Sequence, residues 1–280
     1  MENTMSLINE ILKELEDSRT SGDKQSEARA LSHLGIAYFL EAQIEQALNY
    51  YEQALALSRE IGNLENLASD LNNIGIVYAA IGQFDEAISR HEKALTLTRE
   101  NGYREGEADS LGGLGRIHED LEEPEKALGF YEKALAITQE IGHREGEGEY
   151  LTNLGNIYRI LDQPNKSLTY YEAALPLHRE FGDTQAEGEV LSSIASITVE
   201  MGKPRKSIPL FEQALTLHRK SDDLLNEALT RANYGITLAE LGEAKKALTH
   251  LRQAKRIFAE LDGDEEVAWV NLIIEELGLD

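Results

Sequence analysis

Seven histidines, 51 acidic side chains and one glycine-rich segment are what this 280-residue chain offers for chemistry. The histidines are His33, His91, His118, His143, His178, His218 and His250. A metal site would need several of them, or several carboxylates, converging at one point, as in an HExxH helix or a carboxylate-rich loop. Neither spacing occurs, and His178 and His218 stand a full 40 residues apart. The segment DSLGGLGRIHED around Gly112 could cradle a phosphate only after a strand and with a Gly-Lys-Ser/Thr ending, and it has neither. There are no cysteines, so thiolate chemistry and disulfides are excluded. Acid–base catalysis needs convergent groups in a water-excluding pocket, which the pattern does not predict. The expectation is a protein that is no enzyme and holds no cofactor and no metal.

The charge balance narrows the partners. With 27 basic against 51 acidic residues the formal charge is −24. Phosphate neutralisation requires clustered Lys and Arg, so nucleic acid is excluded as a partner, as are anionic membrane surfaces. The N-terminal MENTMSLINE has no basic and apolar leader pattern, and no apolar run approaches the ~20 residues of a membrane span. A soluble, cytoplasmic protein is expected.

The elements that must position any site are set by a repeat. Gly35, Gly75, Gly115, Gly155 and Gly235 lie on a 40-residue lattice, with Ala195 at the remaining point. Ala54, Ala94, Ala134, Ala174, Ala214 and Ala254 form a second column, and Tyr51, His91, Tyr131, Tyr171, Phe211 and Leu251 a third. Within a unit the apolar spacing is i, i+3, i+4, i+7, so each unit is two amphipathic helices of roughly 17 residues. Gly62, Gly102, Gly142 and Gly182 close second helices, and Pro124, Pro164 and Pro204 open them. Glycine and alanine on the packing stripes let paired helices approach closely, while the aromatic column fills the space beside them. Pro176 and Pro209 fall inside second helices, where they should bend the helix and face outward.

Leu154, Gly155 and Tyr158 in a first helix, with Ala127, Tyr131 and Ala134 in a second, resemble the tetratricopeptide repeat. The 40-residue spacing is similar to the lengthened repeats of LGN/Pins-type cell-polarity adaptors and of bacterial scaffold proteins with such repeats. Ala195 for Gly, Ser167 and Ser207 for Ala, and a unit ending Asp222-Asp223 without its glycine depart from the pattern. The resemblance implies an all-α, right-handed α-solenoid of six helix–turn–helix repeats at 24–63, 64–103, 104–143, 144–183, 184–223 and 224–263. Residues 1–23 and 264–280 read as capping helices that make the array complete at both ends.

The resemblance further implies that first helices line a concave groove through one stripe. Its expected partner-binding residues are Arg29, Ile36, Phe39, Asn72, Ile76, Gly112, Arg116, Glu119, Thr152, Asn156, Arg159, Ser196 and Ile236. Arg116 and Arg159 would anchor carboxylates, and Asn72 and Asn156 would satisfy backbone amides of an extended or helical peptide. The whole stripe carries three arginines against four acids, so the groove is nearly neutral. The acids stand instead in ladders, among them Glu27, Glu107, Glu147, Glu187 and Glu227, expected on a solvated outer face partly offset by Arg59, Arg99, Arg179 and Arg219. Gly112 and Gly113 either relieve packing or make room for a ligand backbone. In α-helical register Val267, Val270, Ile274 and Leu277 should seal the last repeat. Trp269, Leu272 and Ile273 then form a surplus apolar face, either tilted onto Ala239 and Ile236 or used in a weak homodimer. The function expected is a non-enzymatic interaction scaffold. A peptide-sensing regulator acting by superhelix closure, or a self-assembling scaffold, is the alternative.

Overall fold

The computed structural model describes residues 2–279, with Met1 and Asp280, the outermost residues of the two flanking segments, lying outside the described residues. Among these residues there are fourteen α-helices and no strand. The chain divides into two units, residues 1–143 and 144–280. The first holds α1 (Glu2–Ser21), α2 (Lys24–Leu40), α3 (Ile44–Ile61), α4 (Leu64–Ala80), α5 (Phe84–Asn101), α6 (Arg104–Asp120) and α7 (Pro124–Ile141). The second holds α8 (Arg144–Ile160), α9 (Pro164–Phe181), α10 (Thr184–Glu200), α11 (Pro204–Lys220), α12 (Leu224–Glu240), α13 (Ala244–Glu260) and α14 (Asp264–Glu276). In each unit a helix packs most extensively on the one that follows it, in pairs α2–α3, α4–α5 and α6–α7, then α8–α9, α10–α11 and α12–α13. This is a helical-repeat solenoid.

The turns keep a period of twenty residues. Every twentieth residue from Gly22 to Asp262 has positive φ, and glycine fills most of these places. Ala42, Glu122, Asp162, Asp222 and Asp262 adopt the same left-handed conformation without being glycine. Asp222 thus does the work of the missing glycine, at roughly the 1–2 kcal/mol that a Cβ costs there, less for aspartate, which bonds locally. The position matters because the backbone N–H groups that follow turn back onto the helix, as when Gly62 and Asn63 donate to Arg59 and Ser58.

Close packing explains the glycine column. A Cβ on Gly155 would lie 2.6 Å from Cε1 of Tyr171, and one on Gly115 2.7 Å from Cε1 of Tyr131. The ring fills the space a side chain would take there, and Ala134 and Ala174 are fully buried. At the exceptional position Ala195 is likewise fully buried, and its partner Phe211 stacks on Tyr234 with ring centroids 5.4 Å apart. Pro176 and Pro209 both face solvent, and α9 and α11 continue through them.

Two expectations about α14 and the glutamates change. Ile273 turns inward and is only 9% exposed, packed with Val270 and Ile274, whereas Leu277 faces outward. Leu277 lies beyond the last helical residue, Glu276, so a strict helical stripe does not reach it. Trp269 remains 39% exposed and Leu272 52%. The glutamate ladder, expected in solvent, is partly internal, since Glu107 and Glu227 are both buried. The arginine eight residues earlier, at the end of the preceding helix, reaches each of them: Arg99 Nε to Glu107 at 2.8 Å and Arg219 Nε to Glu227 at 3.2 Å. Arg179 and Glu187 repeat the clasp at 2.7 Å, and Arg19 and Glu27 at 2.8 Å.

Candidate functional site

In the first unit part of the expected stripe is occupied by its own structure. Asn72 on α4 is buried, and its Oδ1 lies 3.0 Å from Nδ1 of the buried His91, which donates to it. Its carbonyl is therefore spent on packing and is not offered to a ligand. The same imidazole fills the glycine-rich segment of α6, because a Cβ on Gly113 would stand 2.3 Å from His91 Cε1. Gly113 therefore serves packing. Burial and the nearby Arg116 charge push the His91 imidazole down to about 4, so the ring stays neutral at pH 7. Glu119 accepts a bond from the Tyr131 hydroxyl at 3.0 Å. Phe39 packs against the core formed by Tyr51, Leu71 and Ile74. Ile76 and Gly112 are half-buried, while Arg29, Ile36 and Arg116 reach solvent.

A further polar cluster in this unit escaped the periodic pattern. Asp70 on α4 is 1% exposed and accepts from the Ser32 hydroxyl at 2.5 Å and from Ser58 at 3.4 Å. Burial raises its carboxyl to about 6, against the lowering effect of the two hydroxyls. No cation pairs with it among the described residues. The signal in the sequence was an acid in a column otherwise filled by Ala, Ser, Tyr, Val and Thr.

The second unit keeps its stripe open. Thr152, Asn156 and Arg159 on α8, Ser192, Ser193 and Ser196 on α10, and Asn226, Leu229 and Asn233 on α12 line one cleft of about 350 Å³. Four residues expected from the sequence (Thr152, Asn156, Arg159 and Ser196) therefore meet in one place. Ser193 and Asn233 lie four residues after the stripe's first position in α10 and α12, and Asn226 and Thr230 flank that position in α12, so none of the four is on the expected stripe. Asn156 Oδ1 accepts from the Tyr171 hydroxyl, which fixes the orientation of the amide. Burial raises the Tyr171 hydroxyl and Arg159 nearby lowers it, so the phenol stays protonated. Ile236 is half-buried and packs against the core that includes Phe258 and Val270, so it belongs to the fold rather than to the cleft.

A second cavity of about 270 Å³ adjoins the cleft, sharing Thr152 and Glu189 with it. Glu145, Glu149 and Asp183 also line it, with Leu177, His178 and Phe181. The Nε2 of His178 lies 2.8 Å from the Thr152 hydroxyl, and burial lowers the imidazole. Glu189 accepts from the side-chain amides of Asn226 at 3.1 Å and Gln185 at 3.2 Å. Burial raises its carboxyl, and Asp223 and Asp183 add to the effect. No group of three or more His, Asp or Glu among the described residues is placed to hold a metal ion. No described helix is long and apolar enough to cross a membrane.

The tetratricopeptide-repeat family model matches residues 26–100, 66–140, 106–180, 146–220 and 187–260, which overlap without a gap across most of the chain. The chain belongs to the tetratricopeptide-repeat family. No curated protein matches this tetratricopeptide-repeat chain. Solved structures share its fold at low identity. BtubC (BKLC) from P. vanneervenii is 20% identical, with a TM-score of 0.68 over 78% of this chain and 92% of that one. A Rap protein complexed with Competence and Sporulation Factor is 17% identical, with a TM-score of 0.66 over 90% of this chain and 75% of that one. The APC/C hetero-tetramer Cut9-Hcn1 gives 0.71 at 16% identity, over 94% of this chain and 46% of that one.

Proposed function

We propose that this tetratricopeptide-repeat protein is an interaction scaffold whose second unit binds an extended peptide segment of a partner. The observation that carries the reading is the chemistry of the cleft. Three first helices in succession line it with serine and threonine hydroxyls and asparagine amides, groups that match the N–H and C=O pattern of an extended backbone. Arg159 at its edge, free of any carboxylate among the described residues, supplies the anchor for an acidic side chain. The Rap structures, solved with Competence and Sporulation Factor and with the Phr* peptide, support a peptide as the ligand type. A net charge of −24 speaks against nucleic acid. The exposed Arg116, Arg29 and Ile36 are candidate partner contacts of the first unit by itself, and a cytoplasmic setting is part of the reading. Division into repeats at 24–63 through 224–263, with flanking caps, is the organisation it assumes.

Selection of peptides from a random phage library on the wild type, followed by titration of the winners, tests the proposal. Ser196→Trp, which fills the cleft from a half-buried position, should abolish binding of the selected peptides without unfolding the chain. Peptides that bind the wild type and this variant equally would place the interaction elsewhere.

A second reading rests on Trp269 and Leu272, which stay exposed on α14. They would support a weak homodimer, opposed by the negative charge and therefore stronger at higher salt. Sedimentation of Trp269→Glu beside the wild type separates the two states.

A further inference from the structure

The cleft is polarised along its length. Among its lining residues Arg159 is the one cation and Glu189 the one anion. In the 40-residue register Glu189 on α10 corresponds to Glu149 on α8, ten residues before Arg159. Ten residues of helix rise about 15 Å, so the two charges sit at opposite ends of the cleft. At the Glu189 end the cleft opens into the adjoining cavity, whose volume of about 270 Å³ accommodates a long side chain. Its walls offer Leu177 and the half-exposed Phe181 to an aliphatic stem, and Glu145, Glu149 and Asp183 to a cationic head. Glu189 accepts from the neutral amides of Asn226 and Gln185, and no cation pairs with it among the described residues. Burial raises its carboxyl, and the nearby Asp223 and Asp183 add to the effect. At the other end no carboxylate pairs with Arg159 among the described residues. Two complementary charges thus stand apart in one cleft, each without a partner of opposite sign among the described residues.

We infer that the ligand is a zwitterionic peptide segment: one acidic side chain paired with Arg159, and one lysine or arginine seated beside Glu189. This deepens the peptide-binding reading above and rests on it. In an extended chain residues four apart face the same side and are separated by about 13 Å, which with side-chain reach spans the two ends. The required pattern is therefore an acid and a base at i and i+4 of an extended segment.

The probes are four fluorescein-labelled decapeptides on one neutral Ala/Ser/Asn/Leu frame: uncharged, Glu alone, Lys alone, and Glu with Lys four residues apart. Anisotropy titration at low salt should rank the doubly charged peptide first, about tenfold tighter than either singly charged one. Arg159→Ala should remove the advantage of Glu and leave that of Lys. Glu189→Gln, which keeps the shape of the side chain, should do the reverse. Circular dichroism confirms that both variants are folded. If all four peptides bind within twofold of one another, or if either variant weakens all of them equally, the charge polarity is wrong while the peptide cleft stands. If none binds at millimolar concentration, or if Ser196→Trp leaves binding intact, the cleft itself is wrong and this inference falls with it.

Discussion

The two units are written on one lattice and spend their polar residues differently. In residues 1–143 polar groups of the first helices are bonded inside the protein, Asp70 to Ser32 and to Ser58 of α3, and Asn72 to His91 of α5. In residues 144–280 the corresponding positions, Thr152 and Ser192 for Ser32 and Asn72, sit on the wall of an open cleft. Asn72 reaches inward to a histidine that the glycines of α4 and α6 admit, whereas Thr152, which also meets a histidine, His178, and Ser192, which accepts from the Thr230 hydroxyl, keep one side on the cleft. Two regions with the same helices can therefore differ in how much of their first-helix polar surface borders open space.

The largest expected effect tests how far burial separates equivalent ions. Glu27 and Glu227 share a column, yet Glu27 pairs only with the exposed Arg19, while Glu227 is buried against Arg231 at 2.9 Å and Arg219 at 3.2 Å. Removing one partner of a buried pair strands the other, so Glu227→Ala should cost about 3–5 kcal/mol. Glu27→Ala should cost under about 1 kcal/mol. Urea denaturation of the two variants measures both, and equal losses would break the comparison.

Asp70 gives the first unit a buried carboxyl that no cation pairs with among the described residues. Its carboxyl titrates near 6 in the folded state against 3.8 for the free side chain. The folded state therefore holds the proton more tightly, and stability from this group is full below about pH 4 and lost as pH rises through 6. Asp70→Asn should stabilise the protein at pH 7 by about 3 kcal/mol, with the gain fading toward pH 4. Thermal melts of the variant and wild type at pH 4 and pH 7 check the sign as well as the size.

Smaller effects come from the glycines. Gly155→Leu forces a side chain into the Tyr171 ring and should cost about 1–3 kcal/mol, loosening α8 and α9 before α12 and α13 in hydrogen exchange. A Cβ on Gly129 of α7 would meet no atom within 4 Å, so Gly129→Ala should instead gain about 1 kcal/mol from helix propensity. The same thermal melts measure that gain. The smallest change is Arg116→Ala, solvent-exposed and unbonded among the described residues, which should shift the melting curve by no more than about 0.5 kcal/mol.

The repeat pattern alone determined much of this protein. Helix starts at Lys24, Leu64, Arg104, Arg144, Thr184 and Leu224 follow directly from columns of glycine, alanine and aromatics, because close helix packing admits only small residues at fixed places. The outward prolines and the open stripe of Thr152, Asn156, Arg159 and Ser196 were legible for the same reason: periodicity assigns a residue to a face. What periodicity does not carry is reach. Whether Asn72 turned in to His91, whether Glu227 lay in solvent or under Arg231, and whether Ile273 or Leu277 sealed the last helix depended on neighbours distant in the chain or on where the last turn ended. The cleft itself belongs to this second class. Its walls come from three helices 40 residues apart, and only their packing decided that hydroxyls and amides would border empty space, with a cation at one end and an anion at the other.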